Sequence, residues 1–384
     1  MKPAFAAVPL DAADSLERRM ADALRDAPAV DRAGPFPADW WQHLAVRNLL
    51  GLGFDLGHGP RAGWPSIARL SGLIARETGS LGLALGWLLH EMLGRFVIGP
   101  NVRAEGHRAL LRMMAGGQRI VGLAISEPDA GAHPKRLRCT ARRDREDGGD
   151  GWLLDGSKSW VSNGPVADAF VVLAVTGESA GRKSFDAFVV ERGQPGLRVQ
   201  EASAAALAPL GHAGLTLEAC AVADARRLDT RGEAFARIAR PVRVVEDALL
   251  ASAMSGAMQA ELDGLAAWLR GTRASALATR RLGALQLELA ALQPLADESA
   301  RHLERRGPDD ELARLNAGAR ILFERWQAGF EAFAATLDDL GDGLRRIAAD
   351  LRTVLGIARS VGEARQLDAG SALLQHKDSD EIAA

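Results

Sequence analysis

Residues 121–134 read VGLAISEPDAGAHP, and residues 150–168 read DGWLLDGSKSWVSNGPVAD. Both stretches join short apolar runs to glycine, serine, asparagine and proline, a pattern typical of strands that lead into turns. Further runs of the same kind follow, such as AFVVLAVT at 169–176 and LTLEACAV at 215–222. The region therefore predicts a β-sandwich or β-barrel domain.

The segments on either side of this region have the periodicity of helices. Ile67, Leu70 and Ile74 recur at intervals of three and four, and long Ala/Leu/Arg-rich stretches begin near residue 232. The 384 residues are too many for one simple core. We expect an α+β multidomain fold with a helical domain at 1–115, a central β-domain at 116–228, a C-terminal helical bundle at 229–372 and a loose tail at 373–384.

The composition is that of an ordinary globular protein and excludes several classes. The net charge is −2, which gives no sign of a nucleic-acid partner. Cys139 and Cys220 are the two cysteines, too few for a disulfide framework or a cysteine-rich metal site. Residues 1–10 lack a long apolar segment, and no apolar run approaches the ~20 residues of a membrane span. We therefore expect a cytoplasmic protein without a membrane partner.

The two stretches quoted first resemble the flavin-binding β-domain of the acyl-CoA dehydrogenase family. That family carries "[ST]-E-P-x-A-G-S-D", followed by "G-x-K-x-[WF]-[IV]-[ST]-N-G" and "A-D". In this chain the matching residues are Ser126, Glu127, Pro128, Ala130, Gly131, Gly156, Lys158, Trp160, Val161, Ser162, Asn163, Gly164, Ala167 and Asp168. The resemblance implies the order of helices, β-domain and helical bundle, and FAD beside an acyl thioester.

The resemblance also implies which residues hold the flavin. Ser126 would lie near the flavin O2, Ser162 would donate toward N5, and Trp160 would pack against the isoalloxazine ring. Gly131 belongs to the loop that meets the pyrophosphate. Taken without the motif, each serine would be an ordinary turn hydroxyl, and Trp160 a core residue.

Several positions depart from the family pattern around the phosphates. Ala132 and His133 replace the serine and aspartate that follow "A-G". Arg273 stands where the family has an arginine that reaches the FAD of a neighbouring subunit, but the usual Phe-Gly does not follow, and Arg280 or Arg281 could substitute. We therefore expect FAD to bind more weakly than is usual in the family.

The catalytic base of most family members is a glutamate late in the chain, and it is absent here, since alignment places Ala358 at that position. A minority, such as isovaleryl-CoA dehydrogenase, carry the base on an earlier helix in a pattern like "L-E-R-x-x-x-A-x-x-x-G-x-x-Q-A". The stretch VVEDALLASAMSGAMQA carries Glu246, Ala251, Gly256 and Gln259-Ala260 in the same order, with Asp247 in place of the arginine, and the resemblance assigns the base to Glu246.

The local pattern around Glu246 is consistent with this assignment. Glu246 lies on an apolar helical stripe formed by Val242, Val245, Leu249, Leu250, Ala253 and Met254, whereas Asp247 is expected nearer the polar face. A carboxylate on an apolar stripe should be paired or functional, because burial disfavours its charge. The structural alternatives are a pair with Arg243 or a helix-dipole role.

Two other features of the sequence could carry chemistry. His90 and Glu91 lie in an apolar helix, where a packed core or a subunit contact is expected. The run KRLRCTARRDR at 135–145 alternates as a strand would. It predicts one solvated strand face, with contact to a CoA phosphate or an acyl-carrier protein as the alternative.

The sequence thus predicts an FAD-dependent flavoprotein oxidoreductase of fatty acid metabolism. It would introduce an α,β double bond into acyl thioesters of CoA or an acyl-carrier protein and pass electrons to an electron-transfer partner or oxygen. Two alternatives remain: a flavin-dependent monooxygenase on the same fold, and a non-catalytic partner subunit without FAD. We expect a homodimer or homotetramer, because the family shares FAD sites across subunits and because the C-terminal helices carry wide apolar faces. Those faces are formed by Leu285, Leu289, Leu292, Ile321, Leu322, Trp326, Phe330 and Phe333.

Overall fold

The computed structural model shows helices, then a curled β-sheet, then helices again, as the sequence predicted. Its described residues are 10–32, 34–57, 59–144, 150–202, 207–272, 274–337, 340–357 and 359–375. The family-like fold is therefore confirmed at the level of architecture, whereas the exact domain boundaries stay predictions.

The N-terminal helices are built around one apolar helix. The five α-helices are α1 (Leu10–Arg25), α2 (Ala38–Ala45), α3 (Trp64–Thr78), α4 (Leu81–Met92) and α5 (Glu105–Ala115). A π-helical turn, Leu93–Ile98, and a 3-10 turn, Gly99–Asn101, extend α4. The stretch Leu81–Asn101 is long and apolar enough to cross a membrane, but 89% of its most apolar 18-residue window is buried inside the protein, which is how a core helix behaves.

Seven strands form one sheet in the described residues of the central region. They are β1 (Val121–Ala124), β2 (Thr140–Asp144), β3 (Gly151–Ser162), β4 (Ala169–Ser179), β5 (Arg182–Glu191), β6 (Leu197–Ala202) and β7 (His212–Ala223). The strand order is β1-β4-β2-β3-β7-β6, and β5 pairs with β4. Because β1 and β2 both run parallel to β4 while β3, β5 and β7 pair antiparallel, the sheet is mixed.

The unbroken apolar run of β4 is explained by burial on both faces of the sheet. Phe170, Val172 and Ala174 point into the core enclosed by the curled sheet. Ala169, Val171 and Leu173 point the other way, into the core shared with the helices. A strand covered on both sides reads as continuously hydrophobic rather than alternating.

The described part of the C-terminal region contains five α-helices. They are α6 (Arg240–Gly271), α7 (Ala276–Arg306), α8 (Asp310–Ala334), α9 (Gly341–Gly356) and α10 (Arg359–Gln375). Helix α6 crosses α3 at very short range. If residue 256 had a side chain, its Cβ would lie only 2.0 Å from the carbonyl oxygen of Gly72. The two glycines let helices from opposite ends of the chain touch backbone to backbone.

The apolar faces of α7 and α8 are used inside the chain, which corrects the argument made from them. Six of the eight residues are buried in the monomer, because α7 and α8 pack on each other and on α6: Leu285, Leu289, Leu292, Trp326, Phe330 and Phe333. Leu322 is exposed, and so are Leu277 and Leu287 on α7. The surplus apolar surface is therefore much smaller than the sequence suggested.

Candidate functional site

The loop after β1 is held closed by a buried ion pair. The carboxylate of Glu127 accepts hydrogen bonds from the backbone N–H groups of Arg138 at 2.7 Å and Cys139 at 3.0 Å. Lys158 Nζ lies 2.9 Å from the same carboxylate and also donates to the carbonyl of Ile125 at 3.0 Å. Because both side chains are almost fully buried and multiply hydrogen-bonded, this pair fixes β1 against β3.

Strand β3 ends in a bulge that presents a tryptophan to solvent. The register with β7 shifts between Lys158 and Val161, so the bulge includes Trp160. The φ angle of Trp160 is 57°, in the left-handed region that bulky residues rarely adopt, and its side chain is 68% exposed. An exposed aromatic ring held in strained backbone is a sign of a functional position.

The two serines named in the sequence analysis belong to the segments that meet at this bulge. The backbone N–H of Ser159 donates to the carbonyl of Ser126 at 2.9 Å, which joins the end of β1 to the bulge. Ser162 is the last residue of β3. Both serines are half-buried, and neither hydroxyl has a hydrogen-bond partner among the described residues. The hydroxyls are therefore available to a ligand.

The residue after Ser162 connects the bulge to the helices. Asn163 has a φ of 58° and is buried, and its side-chain N–H donates to the carbonyl of Gly86 on α4 at 3.2 Å. Asparagine tolerates left-handed backbone better than most residues do. The chain therefore leaves β3 in a fixed direction, packed against α4.

A residue that the sequence analysis missed lies across from Ser162. His212, the first residue of β7, is the cross-strand partner of Ser162, and its ring centroid is 6.0 Å from that of Trp160. Burial lowers the pKa of His212, so the ring is neutral near neutral pH. The sequence around His212 gives no sign that this residue lies beside Ser162. Its position follows only from the pairing of β7 with β3.

The loop positions that depart from the family pattern are open to solvent. Gly131, Ala132 and His133 are all exposed, and Gly131 has a φ of 55°, which suits glycine. Backbone hydrogen bonds of 3.0 Å join Glu127 and Gly131 in both directions. Arg273 and Ala358 lie outside the described residues.

Glu246 lies on the second turn of α6, and its carboxylate is largely uncommitted. The side chain is 28% exposed, and its contact with a described cation is a 3.7 Å approach to Arg243. No hydrogen bond to it is formed by the described residues. Burial raises the pKa of Glu246, with the nearby carboxylate of Asp247 acting in the same direction.

The neighbouring carboxylate is the one that is paired, which corrects its expected place near the polar face. The side chain of Asp247 is only 13% exposed, less than that of Glu246. Arg243 approaches it at 2.6 Å and Arg320, on α8, at 3.7 Å. Asp247 is drawn inward because two guanidinium groups surround it, one of them from a distant helix.

A cavity of about 370 Å³ opens beside this cluster, between α6, α8 and α10. Asp247, Arg243 and Arg320 line one side, and Arg359 and Arg365 line another. Arg320 also donates to the carbonyls of Val354, Leu355 and Ile357 at 2.6–2.7 Å, which secures the end of α9. Arg359 and Arg365 have no ion-pair partner in the described part of the chain.

The geometry of the β3 bulge suits the planar ring system of a flavin. A flat heterocycle needs an aromatic face to pack on and hydrogen-bond donors at its edge. Trp160 supplies the exposed face, and Ser126 and Ser162 supply unpaired hydroxyls from adjoining segments. The exposed loop around Gly131 offers backbone N–H groups to a phosphate, although the side-chain hydroxyl that could assist is missing at Ala132.

The remaining candidates from the sequence are structural. His90 is fully buried between Trp41 and Phe54, and burial lowers its pKa to about 4. Burial raises the pKa of Glu91 to about 7, although the N–H groups of Gly51 and Gly53 donate to it. Both belong to the core of the N-terminal helices, as expected.

The basic run at 135–145 alternates as predicted over its described part. Leu137, Cys139 and Ala141 are buried, whereas Arg138 and Arg142 are exposed. The exposed arginines therefore form one solvated face of β2 and of the segment that precedes it.

Comparison with known proteins finds a family match for the central domain. Residues 122–220 match the family model "Acyl-CoA dehydrogenase, middle domain". The mitochondrial isovaleryl-CoA dehydrogenase of Solanum tuberosum is 32% identical over 245 residues, which cover 62% of this chain and 57% of that enzyme. The L-prolyl-[peptidyl-carrier protein] dehydrogenase of Pseudomonas fluorescens is 30% identical over 59% of this chain and 60% of its own length. The aligned part thus spans less than two thirds of either relative.

A solved structure shows the same fold over nearly the whole chain. The FAD complex of PigA superposes with a TM-score of 0.76, covering 94% of this chain and 99% of that one, at 19% identity. At that identity the likeness concerns the fold alone. The matched region lies within residues 122–220, and the sequence relatives extend the similarity to about three fifths of the chain. The chain thus contains a middle domain of the acyl-CoA dehydrogenase type.

Proposed function

We propose that this protein is an FAD-dependent acyl thioester dehydrogenase that introduces an α,β double bond, with Glu246 as the base. The observation that carries the proposal is the exposed Trp160 ring at a strained bulge of β3, beside the unpaired hydroxyls of Ser126 and Ser162. A half-buried carboxylate on α6 without a hydrogen-bond partner among the described residues complements it.

FAD is the cofactor that this geometry and the match of the central domain to acyl-CoA dehydrogenases favour. PigA, which shares the fold, is named as an FAD complex. In this chain Ser126, Gly131, Trp160 and Ser162 would contact the cofactor, and Arg273 would act from a neighbouring subunit. When bound, the flavin supplies the acceptor for the hydride that leaves the β-carbon.

Glu246 would remove the proton from the α-carbon at its carboxylate oxygen. A base works best when its pKa lies near the working pH, and burial shifts Glu246 in that direction. Arg243 does not neutralise it fully, because that guanidinium is engaged with Asp247 at 2.6 Å. The charge that develops on the thioester oxygen must be met by hydrogen-bond donors in the assembled site.

The substrate would be an acyl thioester of CoA or of a carrier protein. The relatives are named as an acyl-CoA dehydrogenase and a peptidyl-carrier-protein dehydrogenase, so both carriers occur among similar chains. The cavity beside α6 is lined by Arg359 and Arg365, whose charges suit the phosphate groups that both carriers possess. An electron-transfer partner or oxygen would reoxidise the flavin.

The decisive experiment is anaerobic titration of the FAD-loaded protein with a panel of acyl thioesters. The oxidised flavin absorbance should bleach with the correct substrate. Glu246→Gln should keep bound FAD but slow bleaching by several orders of magnitude, because a proton can no longer be taken up. Glu311→Gln, which changes an exposed carboxylate of α8 that pairs with Arg306 and does not line the cavity, should bleach at the wild-type rate.

The same experiment separates the alternatives. A Glu246→Gln variant that bleaches as fast as wild type would remove Glu246 from its role. A flavin-dependent monooxygenase remains the second candidate, favoured by Ala132 in the exposed phosphate loop and the weaker cofactor binding that it implies. It would consume oxygen and hydroxylate its substrate rather than desaturate it. A protein that binds no FAD under any condition would be the non-catalytic partner subunit.

A further inference from the structure

We propose that His212 is a further flavin-contacting residue, which donates a hydrogen bond from its Nε2 atom to the cofactor edge beside Trp160 and Ser162. The proposal rests on FAD being the cofactor, as argued above. It assigns to this chain a contact that its two recognisable flavin motifs do not contain.

The pairing of β3 with β7 places His212 at the candidate site. His212 and Ser162 are direct partners in the antiparallel ladder, so their side chains project from the same face of the sheet. Their neighbours Val161 and Ala213, also paired, are buried on the opposite face. The imidazole and the Ser162 hydroxyl therefore lie side by side.

The ring contact with Trp160 places the imidazole next to the exposed indole. The centroids are 6.0 Å apart and the planes meet at 72°, an edge-to-face arrangement. Trp160 is held in place by the backbone of the bulge on one side and by this ring on the other. A cofactor that packs on the exposed indole therefore comes close to His212.

The two ring nitrogens of His212 have different surroundings. Nδ1 is buried and has no hydrogen-bond partner among the described residues. Nε2 is accessible to solvent, and it too has no hydrogen-bond partner among the described residues. A buried N–H without an acceptor is rarer in proteins than a buried acceptor without a donor. The tautomer with hydrogen on Nε2 is therefore favoured, and this N–H points to the accessible side.

Three substitutions test which atom of the ring is needed. His212→Phe keeps a ring against Trp160 and removes both nitrogens. His212→Gln places an amide N–H near the position of Nε2, and His212→Asn places one near Nδ1. Apoprotein of each variant is titrated with FAD, and the quenching of flavin fluorescence and the flavin absorption spectrum are recorded.

We expect the Phe variant to bind FAD about tenfold more weakly, which corresponds to ~1.4 kcal/mol. The Gln variant should recover most of the affinity and the wild-type spectrum, whereas the Asn variant should resemble Phe. A thermal melt of each apoprotein shows whether weaker FAD binding comes from a loss of folding. Recovery of FAD binding in the Gln variant would be due to the hydrogen-bond donor, because glutamine has no ring to pack against Trp160.

Each other outcome overturns a defined statement. If Phe binds FAD as tightly as wild type with an unchanged spectrum, His212 does not contact the cofactor. If Asn rescues and Gln does not, the donor atom is Nδ1 and the proposed geometry is wrong. If the wild-type protein itself binds no FAD, the proposed function fails first, and the failure is recognisable because it precedes any variant.

Discussion

At the scale of single residues, Trp160 combines a strained backbone with an exposed side chain. A substitution there should therefore affect the stability of the apoprotein and its affinity for FAD differently. Most of its side chain is in solvent, so it contributes little to the core, while its left-handed backbone costs free energy. Asparagine adopts this conformation with less strain. We expect Trp160→Asn to leave the melting temperature of the apoprotein unchanged or higher.

The same Trp160→Asn variant should bind FAD about tenfold more weakly, which corresponds to ~1.4 kcal/mol, because the aromatic face is lost. Fluorescence titration and thermal melting of one preparation measure both effects. Val46→Asn is the control, because Val46 is an apolar residue of comparable exposure that is far from Trp160 in sequence. It should change neither the FAD affinity nor the melting temperature. A marked fall in apoprotein stability with unchanged FAD affinity would mean that Trp160 is structural.

Ser126, Trp160 and Ser162 could be singled out from the sequence because they lie in the two stretches that resemble the family motifs. The structure brings those stretches together, and the role of the three residues at a flavin stays a prediction. His212 was missed, since its place follows from strand pairing and not from its neighbours in sequence. The role of Arg273 remains a prediction.

At the scale of elements, helix α6 shows what periodicity can and cannot settle. The apolar stripe predicted from Val242 to Met254 is buried as expected. The position of Asp247 was wrong, because a helical wheel contains no information about Arg320, which arrives from α8. Tertiary ion pairs moved a carboxylate inward that the local pattern would leave outside.

If Glu246 is the base, as proposed, Asp247 should control the pH range in which Glu246 acts. In the Asp247→Asn variant a like charge is removed and Arg243 is released toward Glu246, so the pKa of Glu246 should fall. The base acts when deprotonated, and therefore the rise of flavin reduction with pH should move to lower pH. Stopped-flow bleaching across a pH series measures it.

The control for this prediction is Glu311→Gln, which changes an exposed carboxylate of α8 paired with Arg306, outside the cluster of Arg243, Asp247 and Arg320. Its pH profile should coincide with that of wild type. A profile of Asp247→Asn that stays in place, or that moves to higher pH, would show that Glu246 is not the titrating base.

At the scale of the whole molecule, a partly buried ion pair joins the N-terminal helices to α7. Arg95 contacts both carboxylate oxygens of Glu304 at 2.9 and 3.0 Å, and its guanidinium stacks 4.1 Å above the ring of Trp64. The N–H of Trp64 donates to the same carboxylate. This cluster ties two regions that are far apart in sequence.

Breaking this pair should destabilise the whole protein. Glu304→Gln leaves the Arg95 charge largely buried without its partner, a change that costs about 3 kcal/mol in comparable buried pairs. Urea unfolding should show a lower midpoint. The matched control is Glu311→Gln, which removes an exposed pair with Arg306 and should change stability by less than about 1 kcal/mol. Equal midpoints for both variants would contradict the prediction.

The oligomeric state is also a property of the whole molecule. Leu277 and Leu287 remain exposed on α7 and supply a smaller apolar surface than the sequence suggested. The resemblance to acyl-CoA dehydrogenases leads us to propose a homodimer or homotetramer, in which Arg273 would reach a neighbouring FAD. Light scattering at micromolar concentration should give at least twice the 40.7 kDa of one chain. A monomeric mass would remove the role of Arg273.

The glycine crossing of α3 and α6 bears on how the chain is made. The surface of α3 around Gly72 packs against α6, which begins at Arg240. This surface therefore stays uncovered while the β-domain is being synthesised. During that interval the ribosome-bound chain presents an uncovered apolar helix, the kind of surface that chaperones recognise. The N-terminal helices cannot complete their fold as a separate early unit, and a gene fragment that ends before α6 should therefore yield aggregate rather than a folded domain.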